Sequence, residues 1–183
     1  MKTTRPTLYL AGAVLAGVLG AAHAAPVADC STGAIAATPV RGVVNGKPFV
    51  PQHIDVHITK DGMALNEAKF DKYDLTLMTD GIFNALNVGM LVPLNKKPDG
   101  RVFRALAIDS IGAQPAAAPG LPEIQNWDIA LEAASVDTSF TRDVASIRVE
   151  WGARQGAILP GKIHFCVPSA GVDISGSFAA TVL

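Results

Sequence analysis

The sequence has little of several features that mark common functional classes. Its 183 residues include only two cysteines, 6% aromatic residues and 17% charged residues. The longest run of Lys and Arg is the pair Lys96-Lys97. Nucleic acid binding requires a concentrated basic surface, so we expect no nucleic-acid partner. For the same reason anionic lipid is not an obvious partner.

Long apolar runs are also missing, except near the N-terminus. Residues 1–5 carry two positive charges, residues 8–19 are almost unbroken apolar, and residues 22–24 read Ala-His-Ala. This order predicts a signal peptide over residues 1–24 and a periplasmic or secreted protein. The run is shorter than the about 20 residues of a membrane span, so we expect no integral membrane segment after signal cleavage. The chain after residue 24 has 13 basic and 16 acidic residues, a formal charge of −3.

The two cysteines predict one disulfide, Cys30–Cys166. Disulfides persist in oxidising compartments, and two cysteines allow a single intramolecular pairing. Closing so long a loop stabilises a fold by about 4 to 5 kcal/mol on the chain-entropy model. Residues 25–39 show no sustained hydrophobic period, and we expect an extended N-terminal arm there. Residues 40–183 are then a single β-domain.

The end of the chain predicts a β-hairpin. Ile163, Phe165 and Val167 alternate with polar or small residues, and the period of two resumes over residues 174–182 after a Pro-Ser-Ala-Gly break. Asn45-Gly46 lies between two short apolar runs, which is the strongest short hairpin signal.

The same alternation recurs along the chain, between turns rich in Gly, Pro and Asn. We count about nine or ten short strands and at most one or two short helices. Residues 63–70 are ambiguous, because they are rich in helix formers but short. This spacing favours an all-β fold, an antiparallel sandwich of jelly-roll or immunoglobulin-like type, with a barrel as the alternative.

The segment His53-Ile54-Asp55-Val56-His57 is the sharpest polar pattern. On a strand its three polar side chains project from one face at steps of about 6.6 to 7 Å. Neighbouring members could share a zinc or copper ion, but a further ligand is needed, and His164 supplies it only if its strand lies alongside. The candidate metal set is therefore His53, Asp55, His57 and His164. The simpler interpretation is a solvated strand face and no cofactor.

Signatures of catalysis are weak. No Gly-x-Ser-x-Gly elbow occurs, and Ser177 lies within a strand-like alternation. Cys166 shares a face with His164, but a disulfide removes its thiolate. We predict no catalytic and no cofactor-binding residue, and the sequence favours a non-enzymatic role without settling it.

Trp127 and Trp151 are each in register with apolar residues of their strands, which predicts core positions in preference to a sugar-stacking surface. The function that remains is an exported, non-catalytic binding or interaction domain whose partner is an unknown protein or carbohydrate. We expect its surface at the loop 112–122 or at the His53, Asp55 and His57 face. One alternative is a metal-binding protein or metal-dependent hydrolase, and a second is a carrier of a small hydrophobic ligand inside a barrel.

Overall fold

The fold is built almost entirely from β-strands. The computed structural model describes residues 30, 34–65, 68–79, 85–94, 96–108, 124–130 and 145–183. The strands are β1 (Arg41–Val44), β2 (Lys47–Phe49), β3 (His53–Leu65), β4 (Ala68–Met78), β5 (Ala85–Pro93), β6 (Val102–Ile108), β7 (Ile124–Ala130), β8 (Ala145–Trp151), β9 (Ile158–Val167) and β10 (Val172–Val182). A single 3₁₀ turn, Pro168–Ala170, is the helical element in these ranges. The all-β class is confirmed.

All ten strands belong to one sheet. Its order is β6-β8-β9-β10-β3-β4-β5-β7, with β1 paired to β10 and β2 paired to β1. The neighbours are antiparallel except β3, which runs parallel to β10. β1 pairs with the start of β10 at residues 172–175, whereas β3 pairs with its end at residues 181–182. One side of β10 is therefore shared by two strands.

The sheet is open and curled into a half-barrel. Trp127 on β7 and Phe165 on β9 meet edge to face with their ring centroids 5.2 Å apart, although four strands lie between β7 and β9 in the sheet order. In a flat sheet that separation would be about 24 Å, at about 4.8 Å per strand. The two rings can touch only because the sheet bends round a common interior.

The interior is filled by the alternate residues of each strand. β8 illustrates the pattern: Ala145, Ile147, Val149 and Trp151 are buried, and the residues between them are partly exposed. Trp127 and Trp151 are both 3% exposed, so their predicted core positions are confirmed. Period-two patterning of this kind places alternate apolar side chains on the concave face, where they pack against one another.

Both predicted hairpins form. β9 and β10 pair continuously from Val167–Val172 to Ile158–Thr181. In the β1–β2 turn, Asn45 and Gly46 have φ of 48° and 75°, the positive values that a type I′ turn requires.

Residues 63–70 resolve as strand where the structure describes them. β3 continues to Leu65 and β4 begins at Ala68, and the pairing of Met63 with Phe70 continues the ladder after an irregularity between Thr59 and Met63. The helical alternative for this segment was wrong. Cross-strand pairing satisfies the backbone here, and it outweighs the helix propensity of a short run.

The Cys30–Cys166 disulfide is present, with the two Cα atoms 5.6 Å apart across 136 residues of sequence. Cys166 is buried although it points away from the concave side. Nearby, the backbone N–H of Ser177 donates to the Thr38 carbonyl at 2.8 Å, and the N–H of Val40 donates to the Ser177 carbonyl at 2.9 Å. The segment before β1 is thus tied to β9 by a covalent bond and to β10 by hydrogen bonds.

That segment approaches β10 closely at Gly176. A Cβ atom on Gly176 would lie 2.7 Å from the Thr38 carbonyl oxygen and 2.6 Å from the Val40 Cα. Since Gly176 also has a φ of 140°, the position favours glycine on both counts.

Candidate binding site

The polar face predicted on β3 lies on the convex side of the half-barrel. His53 and His57 are exposed and Asp55 is half-buried. Asp55 lies opposite Thr76, which donates from Oγ1 to Asn87 Oδ1 at 2.8 Å, and Asn87 donates from Nδ2 to Asp128 Oδ2 at 2.9 Å. This face therefore carries a row of polar side chains that runs across β3, β4, β5 and β7.

His164 lies far from the polar side chains of β3. It lies on β9 opposite Ser175, six residues along β10 from Thr181, where β3 pairs. Six residues of strand span about 20 Å, and β10 separates the two elements. Its Nε2 is 3.3 Å from Asp173 Oδ1.

Within the residues that the structure covers, no group of three or more His, Cys, Asp or Glu is arranged to hold a metal ion. The zinc or copper assignment for His53, Asp55, His57 and His164 stays a prediction. The loop 112–122 and the signal peptide lie outside the described residues.

A cavity of about 360 Å³ opens at one end of the half-barrel. Its floor is apolar and comes from three strands: Ile58 on β3, Tyr73 on β4 and Leu159 on β9. Leu159 is fully buried and Tyr73 is 4% exposed. The rim around this floor is lined by four cationic side chains and one carboxylate: Lys60, Lys96, Lys97, Arg154 and Asp99. We call this site the mouth pocket.

Backbone hydrogen bonds fix the segment that forms one wall of the mouth pocket. The N–H of Lys96 donates to the Pro93 carbonyl at 3.0 Å, and the N–H of Arg101 donates to the Pro98 carbonyl at 2.9 Å. The N–H of Gly100 donates to the Trp151 carbonyl at 2.9 Å, which joins this wall to the end of β8.

The turn between β8 and β9 forms the facing wall. Gln155 and Ile158 exchange backbone hydrogen bonds of 2.8 and 3.0 Å. Arg154 Nε donates to the Gly156 carbonyl at 2.8 Å, and the Arg154 backbone N–H donates to Asp99 Oδ2 at 3.2 Å. The guanidinium is therefore held beside the cavity by its own turn, and the Asp99 carboxylate links the two walls.

A buried carboxylate lies beneath one of the cations. Asp71 is 2% exposed, accepts a hydrogen bond from Lys60 Nζ at 2.8 Å and accepts another from the Asp61 N–H at 3.0 Å. Burial alone would raise the pKa of Asp71, but these two hydrogen bonds and the Lys60 charge outweigh it and lower the pKa. The hydrogen bond to Asp71 in turn raises the pKa of Lys60.

Tyr73 completes the floor as a neutral group. Burial raises the pKa of its phenol, so the ring stays uncharged at neutral pH. Lys60 Nζ lies 6.0 Å from the ring centroid, at the limit of a cation–π contact. Counting Asp71 beneath Lys60, the site holds four cations and two carboxylates, an excess of two positive charges.

Sequence reasoning did not single out the mouth pocket. Its residues come from β3, β4, the segment before β6, the β8–β9 turn and the start of β9, so no local pattern unites them. The one local signal was the pair Lys96-Lys97, the longest basic run in the chain. It marks the position of a charged wall but not the apolar floor behind it.

In comparisons with known proteins, the chain matches no family model, no curated protein and no solved structure. No helix in the described ranges is long and apolar enough to cross a membrane.

Proposed function

We propose that this chain is an exported, non-catalytic binding domain that holds a small ligand in the mouth pocket. The observation that carries the proposal is a cavity of about 360 Å³ with an apolar floor and a polar rim. Small-molecule sites are typically concave, and the mouths of β-barrels are a common place for them. The exposed lining of this cavity is more polar than apolar, and Ile58 is the partly exposed apolar side chain of its floor. The proposal combines two interpretations of the sequence, a non-catalytic binding domain and a carrier of a small ligand.

Export is part of this proposal. The charged, apolar and small-residue order of residues 1–24 supports it, and a disulfide suits an oxidising compartment. Neither Cys30 nor Cys166 lines the mouth pocket, so the bond itself lies away from the proposed ligand site.

We also infer that the sheet forms an open barrel and not a two-sheet sandwich. The contact between Trp127 and Phe165 supports this, since both rings lie inside one curled sheet. A barrel interior lined on alternate residues ends in a mouth, and side chains near that end form the floor of the cavity.

Filling the cavity tests the function. Ile58→Trp is expected to place an indole over the floor and to weaken binding of decanol and decanoate at least about tenfold, a loss of about 1.4 kcal/mol in binding free energy. The cavity volume lies at the lower end of the range of about 300 to 1,000 Å³ for small-molecule sites, so we choose probes of about a dozen non-hydrogen atoms. Calorimetric titration measures the affinities, with decanoate below its micellar concentration and decanol below its solubility limit.

Ile54→Trp is the matched control. Ile54 lies on the same strand, is likewise partly buried and packs against the same core, but it does not line the cavity. The expected result is saturable binding by the natural chain and by Ile54→Trp, and weak binding by Ile58→Trp. Equal binding by the two variants, or no binding of either probe to the natural chain, would remove the mouth pocket as the ligand site.

A further inference from the structure

We propose that the ligand of the mouth pocket is a small amphipathic anion, with its charged group between Lys96, Lys97 and Arg154 and its apolar body on the floor. This inference rests on the proposed function and specifies its ligand class. Carboxylates and phosphate monoesters share the chemistry that such a rim recognises.

The mouth pocket carries a local charge opposite in sign to that of the whole chain. The whole chain has a formal net charge of −1, yet the mouth pocket has an excess of two positive charges. Lys96, Lys97 and Arg154 are all exposed on the rim. Cations gathered around one cavity repel each other, and a bound anion relieves that repulsion.

The two carboxylates of the site, Asp71 and Asp99, already accept hydrogen bonds within the protein. Asp71 lies below Lys60 and accepts hydrogen bonds from Lys60 and from the Asp61 backbone. Asp99 accepts from the backbone of Arg154, not from its guanidinium. Arg154 has a planar fork of donors suited to the two oxygens of a carboxylate or phosphate. Among the described residues, its Nε donates to the Gly156 carbonyl, and no acceptor is seen for the other two guanidinium nitrogens.

The floor of the mouth pocket carries no charge. Ile58 is partly exposed and apolar, Leu159 is apolar and lies buried beneath it, and Tyr73 is buried and uncharged. Burying a second charge there would cost much more than leaving it in water. The ligand should therefore carry its charge at one end, facing the rim, and an apolar chain or ring at the other.

Calorimetric titration with four probes of equal chain length tests this ligand class. The probes are decanoate, monodecyl phosphate, decanol and decyltrimethylammonium, the ionic probes each below the micellar concentration and decanol below its solubility limit. We expect at least one of the two anions to bind at least about tenfold more tightly than decanol, and the cation to bind least. Raising the salt concentration should weaken the anions and leave decanol unchanged, because salt screens exposed charges. The two anions together show which headgroup the rim prefers.

Variants of the rim residues test which cations cause the preference for anionic probes. The double variant K96Q/K97Q and the single variant R154Q should each reduce the preference for the anion over decanol several-fold. The control is R41Q/K47Q, which removes two charges from the exposed β1–β2 hairpin and should change nothing. Lys60 is not replaced in these variants. Without it the buried Asp71 carboxylate would lose its ion-pair partner, and the fold itself would be destabilised.

The outcomes separate the two proposals. If decanol and the anions bind equally and Ile58→Trp abolishes both, the mouth pocket is a binding site but the anionic ligand class is wrong. The anionic ligand class is also wrong if K96Q/K97Q and R154Q keep the full preference for the anion. If no probe binds the natural chain, the proposed function itself fails.

Discussion

Removing the Cys30–Cys166 disulfide is expected to lower the free energy of unfolding by about 2 to 5 kcal/mol. The bond closes a loop with a sequence separation of 136 residues, and in the chain-entropy model such a loop restricts the unfolded chain by up to about 5 kcal/mol. The double variant C30A/C166A should therefore unfold at a clearly lower urea concentration than the oxidised natural chain. Urea unfolding followed by tryptophan fluorescence measures the difference.

Ser177→Ala is the matched control for this experiment. The Ser177 hydroxyl donates to the carbonyls of Ala37 and Thr38, at 3.0 and 3.1 Å, so the variant loosens the same segment but keeps the covalent bond. Because the hydroxyl is exposed, Ser177→Ala should lower the free energy of unfolding by no more than about 0.5 to 1.5 kcal/mol. A double cysteine variant as stable as the oxidised natural chain would show that the disulfide contributes nothing to the fold.

Asp71→Asn is expected to lower the free energy of unfolding by about 1 to 3 kcal/mol at neutral pH. The carboxylate is 2% exposed and two donors are directed at it, so replacing it weakens charge-assisted hydrogen bonds and leaves buried groups less well paired. Lys60 is 67% exposed, so the cost arises at the buried Asp71 end of the pair.

The control is Asp61→Asn, on the neighbouring strand β3. Asp61 pairs with Lys69 at 3.1 Å, but the two side chains are 50% and 59% exposed, and such surface pairs contribute about 0 to 1 kcal/mol. Both variants remove one carboxylate charge, and asparagine tolerates the positive φ at position 61. Equal losses would mean that burial does not distinguish the two carboxylates.

The same Lys60–Asp71 pair gives stability a defined pH dependence. Because the pKa of Asp71 is lowered below its ordinary value of 3.8, its contribution is present above that pH and is lost as the pH falls below it. The pKa of Lys60 is raised above 10.5, so its contribution is lost as the pH rises beyond that value. As the pH falls below about 4, the natural chain should lose stability more steeply than Asp71→Asn. Parallel curves for the two proteins would contradict this assignment.

The sequence predicted the strands wherever a clear period of two was present. In the β9–β10 hairpin the alternation of Ile163, Phe165 and Val167 sets both the strand and its buried face, and Asn45-Gly46 sets a turn by its positive φ values. The disulfide followed from a count of two cysteines. Residues 63–70 were ambiguous because local propensity favours helix, whereas pairing with a distant partner decides the outcome.

The curl of the sheet and the mouth pocket could not be predicted in the same way. Alternation says that Trp127 and Phe165 face inward, but not that two strands separated by four others meet across the interior. Ile58, Tyr73 and Leu159 converge only through strand order and register, which period-two patterning leaves open. The His53, Asp55 and His57 pattern was conspicuous in the sequence because its members are local, and this made it the first site to consider.

The most direct test of ligand binding at the open end of the half-barrel is an amide chemical-shift titration of the natural chain with decanoate. The prediction is that the shifted amides concentrate around the mouth pocket, at Ile58, Tyr73, Leu159, Gly156, Lys96, Lys97 and Asp99, and saturate together. The amides of His53 and His57 and of the β1–β2 hairpin should stay in place. Shifts that centre on the convex face, or that spread over the sheet without saturation, would contradict the claim that the open end of the half-barrel holds the ligand.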